Sequence, residues 1–166
     1  MIGSLRYAKL RPDTKNMKTA LLSVCLGANS TIVAMHKHPE EFAHIRTLLA
    51  LQPVTAGLFV DVAMERAGIP NGTACFEQAL YQRTGLHLNE LWPTEFAKSV
   101  TVPTMVAQVR RDFTIRPSLI EEIYGYISAT DKKLYWIEGT DQRFQGYNHF
   151  GREPQAMLEW FNSHMS

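Results

Sequence analysis

A cysteine between small residues, Ser23-Val24-Cys25-Leu26-Gly27, follows directly on an apolar run, Ala20 to Val24, and precedes a helix-forming stretch, Ala28 to Met35. This is the pattern of a strand-to-helix turn that lifts a nucleophile clear of the end of a sheet. Small neighbours are expected because such a turn is sharp and strained, with no room for bulk on either side. The usual form is G-x-S-x-G, so Ser23 takes the place of the first glycine and Cys25 that of the serine. A thiol suits the position. The thiolate is the reactive form, a helix N-terminus favours it, and it needs less help from a base than a serine hydroxyl does. The backbone N–H of Leu26 would then face the oxyanion formed by attack on a carbonyl.

Two further residues belong to the same chemistry. Asp112 ends the run Val102 to Arg111 and has two readings: it orients a histidine, or it caps the Thr114–Ser118 turn and pairs with Arg110 or Arg116. His149, in Gly146-Tyr147-Asn148-His149-Phe150-Gly151, is the candidate base, provided that its loop folds back over Cys25. His36, His38 and His44 do not read as metal ligands. An i, i+2 pair points to different sides of a helix, and no carboxylate cluster accompanies them. Trp92, Trp136 and Trp160 are spread along the chain and read as packing residues, and Cys75 beside Phe76 as a small buried hydrophobe.

The elements that must position these side chains alternate. Met1 to Leu10 reads as a helix, stopped by Arg11-Pro12-Asp13. Lys18 to Val24 and Ile45 to Val54 are continuous apolar runs, as parallel strands covered on both faces require. Leu26 to His38 is the crossover helix between them. After Pro53 come helical patterns over Ala56 to Ala67 and Thr73 to Thr84, then a shorter piece within Leu88 to Ser99. Strands resume at Thr104 to Val109 and Lys133 to Glu138, with helices over Pro117 to Ile127 and Pro154 to His164. The order predicts one α/β domain over residues 1–166, with about four parallel strands, flanking helices and a helical insertion near 55–99.

On these residues the chain resembles the α/β-hydrolase superfamily, in particular the C-terminal half of its fold. The cysteine elbow ending in Cys25-Leu26-Gly27 is similar to that of the dienelactone hydrolase branch, which carries glycine where Ser23 stands. The resemblance implies Cys25 as nucleophile, Asp112 as the acid after the penultimate strand, and a helical cap over 55–99. It places the histidine position, just after the last strand, on Gln142, which cannot relay a proton; His149 is then the substitute. It also implies that the strands preceding the elbow are lacking, and with them the loop that supplies the second oxyanion donor, leaving Leu26 alone. The expected function is therefore a truncated hydrolase-like protein with weak or no hydrolase activity, keeping the scaffold and a small-molecule cleft. The alternative is an active ester, thioester or lactone hydrolase using Cys25.

Composition narrows the partners. At 166 residues the chain can bury roughly 70% of its unfolded surface without staples. A net charge of +1 gives no electrostatic case for nucleic acid. The apolar runs fall short of the roughly 20 residues that span a bilayer, so no membrane association is expected. Met1 to Lys9 lacks the pattern of an export signal, so a cytoplasmic location is expected, with Cys25 and Cys75 as thiols. No glycine-rich loop suits a phosphate, and no cofactor is expected. The strand near 18–24 would leave an open edge, which predicts a homodimer through that region.

Overall fold

The computed structural model describes the backbone of all 166 residues and the side chains of all but residues 89 and 91. Four parallel strands form one sheet in sequence order: β1 (Thr19–Val24), β2 (Ile45–Leu51), β3 (Thr104–Val109) and β4 (Lys132–Ile137). The first and second are the neighbouring co-directional pair that their apolar runs predict, in register from Ala20 opposite Thr47 to Val24 opposite Leu51.

The central strands carry the core because alternate side chains leave opposite faces. Leu48 and Ala50 of β2 and Val106 of β3 lie in one apolar cluster; Leu49 and Leu51 with Met105, Ala107 and Val109 lie in the other. All six residues of β3 are buried, whereas β1 and β4, at the edges, are mostly half-covered. The first face is covered by α2 (Leu26–Lys37), α6 (Pro93–Ala97) and α7 (Pro117–Tyr126), through residues such as Ile32, Met35, Ala97, Ile120 and Ile123. Against the opposite face lies α10 (Gln155–Met165). Its buried Trp160 packs there with Phe150 and donates its indole N–H to Thr47 Oγ1 at 2.8 Å, so the polar end of the ring is satisfied.

Several details depart from the sequence reading. The chain at 55–99 is two dissimilar pieces. α4 (Ala56–Arg66) and α5 (Gly72–Thr84) pack on each other and bury only Gly57 and Gly72, while α6 sits between α2 and α7 as part of the core. A 3₁₀ turn at Leu88–Leu91 joins them. Cys75 is exposed, not buried, because α5 turns little of its surface toward the body. Pro39 begins a short helix, α3 (Pro39–Phe42), as well as ending α2, and α1 (Ile2–Leu10) packs on it. The stretch after β4 is helical too: α8 (Arg143–Tyr147) and α9 (His149–Arg152) occupy what reads as loop in the sequence.

Candidate functional site

β1 ends at Cys25, whose backbone takes φ 58° and ψ −127°, and α2 starts at the next residue. A side chain at positive φ is strained by about 1–3 kcal/mol and persists only where its surroundings impose it. Here they do: Cys25 N–H donates to Leu51 O on β2 at 2.9 Å, while Cys25 O accepts the amides of Ala28 and Asn29 in the first turn of α2. Ser23 is more than a small residue. Its hydroxyl shares a hydrogen bond with Thr31 Oγ1 at 2.8 Å, tying the strand to the helix that follows. Gly27, in contrast, is not there for lack of space, since a Cβ added to it would meet nothing within 4 Å. The Leu26 amide has no hydrogen-bond acceptor among the described residues, as befits the first N–H of a helix.

What stands against Cys25 is a guanidinium. Arg143, the first residue of α8, has its Nη2 4.0 Å from Cys25 Sγ and donates from the same nitrogen to Gln52 O. Its Nη1 donates to Asp112 Oδ2 at 2.8 Å and its Nε to the Tyr147 hydroxyl at 2.8 Å, one turn along the same helix. The Asp112 and Arg143 side chains are 0% and 2% exposed, so this ion pair is shut off from water.

Asp112 fulfils the capping reading and takes its cation from elsewhere. Oδ1 accepts the amides of Thr114 at 2.7 Å and Ile115 at 3.3 Å, Oδ2 accepts Gln108 Nε2 at 2.8 Å, and its ion-pair partner is Arg143, not Arg110 or Arg116. Arg110 pairs instead with Glu138. Gln52, fully buried and at φ 51°, closes the ring by donating Nε2 to Arg143 O at 2.7 Å. α8 fits against it because Gly146 has no side chain. A Cβ there would come within 2.4 Å of Val109 Cγ2 and 2.8 Å of Gln52 Nε2.

His149 lies elsewhere. It opens α9 with its ring buried, and its Nε2 is 3.1 Å from the Tyr135 hydroxyl, beside Phe150. Tyr135 and Phe150 pack in the α10-side cluster, whereas Cys25 packs against the cluster on the other face. Neither Cys25 nor Asp112 shares a hydrogen bond with His149. Gln142 is exposed, precedes α8 and accepts from Gln145 Nε2 through its side-chain oxygen at 3.0 Å. The structure thus brings Cys25, Leu26 and Asp112 to one end of the sheet, with Arg143 and Tyr147 between them. Those last two were missed in the sequence; the signal present was a buried aspartate needing a cation, and Arg143 is the first one after β4.

The charges of the site are fixed. Burial pushes the Arg143 pKa down, but the hydrogen bond to Asp112 and the charges of Tyr147 and Asp112 outweigh it and leave the guanidinium raised above its ordinary value. Burial first, and then the Cys25 thiol beside it, push the Tyr147 phenol up to about 12. The two groups facing the sulfur are therefore a permanent cation and a neutral phenol, neither of which accepts a proton at neutral pH. No group of three metal-ligating side chains occurs among the described residues, and none of the described helices is long and apolar enough to cross a membrane.

Beyond Arg143 opens a cleft of about 460 Å³. One wall is a single face of α4, Phe59, Val62, Ala63 and Arg66, at helical spacing. The other is Phe113 and Thr114 after β3, with residues 141–144 after β4. Arg143 belongs to both the cleft and the buried network, while Cys25 does not line the cleft.

Solved structures place this architecture. The chain matches a dienelactone hydrolase from Anabaena variabilis at 15% identity and TM-score 0.64, covering 99% of this chain and 58% of that one. An esterase from Pyrococcus furiosus matches at 16% identity and TM-score 0.67, covering 99% and 60%, and an acetyl xylan esterase from Paenibacillus at 14% and 0.66, covering 98% and 50%. The chain thus spans half to three fifths of the length of these enzymes. No protein-family model matches it, and neither does any curated protein. At such identities the likeness speaks for the fold alone: the chain has a partial α/β-hydrolase fold.

Proposed function

We propose that this hydrolase-like protein holds a small molecule in the cleft beside Arg143 without hydrolysing it. One observation carries the reading: the side chain that joins Asp112 to Cys25 is an arginine. A histidine in that place takes the proton from the nucleophile and later returns it to the leaving group. A guanidinium does neither, since it is charged throughout the accessible pH range. Positioned acid–base catalysis is worth about 10²- to 10⁴-fold. The cleft falls within the range of about 300–1,000 Å³ common to small-molecule sites, and its apolar wall is preformed.

A second reading, an ester, thioester or lactone hydrolase with Cys25 as nucleophile, draws on the elbow itself: the strained cysteine and the unpartnered Leu26 amide. Release of p-nitrophenol from p-nitrophenyl butyrate separates the two. The proposal expects the wild-type protein and Cys25→Ala to release it equally slowly. A rate that falls tenfold or more on removing the thiol would establish turnover.

The proposal includes a twofold homodimer through β1. This strand is hydrogen-bonded on one side only, and Leu22 and Val24 along it, with Leu26 at the start of α2, are exposed. Light scattering on a dilution series should report twice the chain mass; a stable monomer at micromolar concentration would remove the dimer. A reducing compartment, the cytoplasm, is the proposed setting for the thiols of Cys25 and Cys75.

A further inference from the structure

We infer that the cleft selects an apolar monocarboxylate, an acyl or aryl acid bound non-covalently by Arg66. This rests on the non-hydrolytic reading above and names the ligand class of the same site. The inference starts from charges that the fold leaves unspent. The Arg143 guanidinium is held at each of its three nitrogens, by Asp112, Gln52 O and Tyr147. Arg66, on the cleft wall, has no carboxylate partner among the described residues, and among them its one side-chain hydrogen bond runs from Nη2 to Thr114 Oγ1 at 3.3 Å. Its Cζ lies 4.7 Å above the centre of the Phe113 ring, on the opposite wall.

The stacked guanidinium is thus held in place across the cleft while most of its five donors stay free, in the planar fork that matches a carboxylate. Beside it a second recess of about 380 Å³ shares Phe113 and Asp141 and adds Arg111, another exposed guanidinium with no ion-pair partner among the described residues. Asp141 is the one carboxylate lining the two recesses among the described residues. Two cations against one anion leave a single positive charge, which suits a monoanion. The body of the ligand is specified by the rest of the walls. Phe59 and Val62 on α4 and Phe144 after β4 face the space as apolar surface, and 37% of Phe59 and 71% of Phe144 is exposed. Such aromatic area in the open is otherwise a cost in water, and an acyl chain or aryl ring would cover it.

The test compares 3-phenylpropionate, 3-phenylpropionamide and 3-phenylpropylamine by calorimetric titration of the full chain, alongside Arg66→Gln and Phe113→Ala. The acid should bind at least tenfold more tightly than the amide, a difference of about 1.4 kcal/mol, and the amine should be weakest. Arg66→Gln, an exposed change that leaves the fold intact by circular dichroism, should erase the preference of acid over amide while the amide is unaffected. Phe113→Ala should weaken acid and amide alike. Equal binding of acid and amide, tighter binding of the amine, an unchanged preference in Arg66→Gln, or no saturable binding of any of the three would each overturn the inference. The ester assay is independent: thiol-dependent turnover would remove the non-hydrolytic reading while leaving the acid preference standing.

Discussion

The elbow at Cys25 and the α8 segment at Arg143 meet at the same end of the sheet, and they keep different things. At the elbow the backbone is that of a nucleophile turn: positive φ, strand before, helix after, first helical amide free. At α8 the side chain is one that cannot relay a proton, tied on every side into a buried network. The comparison separates scaffold from chemistry. Strand register and the first turn of α2 hold the backbone of Cys25 through its amide and carbonyl. After β4 the cation is held in a buried ion pair with Asp112.

If Arg143 and Asp112 are structural partners, removing one should be the most damaging single change in the region. Asp112→Ala would strand a buried guanidinium and the amides of Thr114 and Ile115, at a cost of about 3–5 kcal/mol. Urea unfolding of that variant beside Asp112→Leu/Arg143→Met sharpens the point: the apolar double variant should regain the part of the loss that comes from the stranded guanidinium, whereas an additive loss would break the pairing.

Gly146→Ala comes next. Its methyl would collide with Val109 and Gln52 and should cost about 1–3 kcal/mol. On the elbow side, Gly27→Ala has open space within a helix and should be neutral or stabilise by up to about 1 kcal/mol. If the two variants unfolded at the same denaturant concentration, the tight fit of α8 would not be the constraint described here.

Smaller effects lie in pH dependence. A phenol raised to about 12 keeps its proton in the fold after the unfolded chain, with a pKa of about 10, has lost it. The contribution of Tyr147 is therefore complete below about 10 and lost as pH rises through 12. Phenolate absorbance should show one tyrosine titrating late, and Tyr147→Phe should remove that step. Away from the site, burial pushes the His164 pKa down, but hydrogen bonds to Asp131 and Trp160 O lift it above the ordinary value overall. Its contribution is present below about 6.5 and lost as pH rises through the folded value, so His164→Gln should flatten stability across that interval.

The sheet was legible because β2 and β3 are covered on both faces and are mostly apolar along their length. Cys25 was legible because a strand, a nucleophile and a helix occur in direct succession. α8 and α9 were not: at five and four residues they are too short to show a period, and Gly146 and Asn148 read as turn residues. Arg143 looks like any solvated arginine until the chain is folded, since its burial comes from contacts with Gln52 and Asp112, 91 and 31 residues away. His149, a plausible base by residue type, is drawn to the opposite face by Tyr135, Phe150 and the core of α10.

The arrangement at Arg143 is most directly tested by its own guanidinium resonances in arginine-15N-labelled protein. Held by Asp112, Gln52 and Tyr147, its Nη groups should give separate, slowly exchanging signals that collapse in Asp112→Asn. A single averaged signal, exchanging as fast as that of an exposed arginine, would contradict the account.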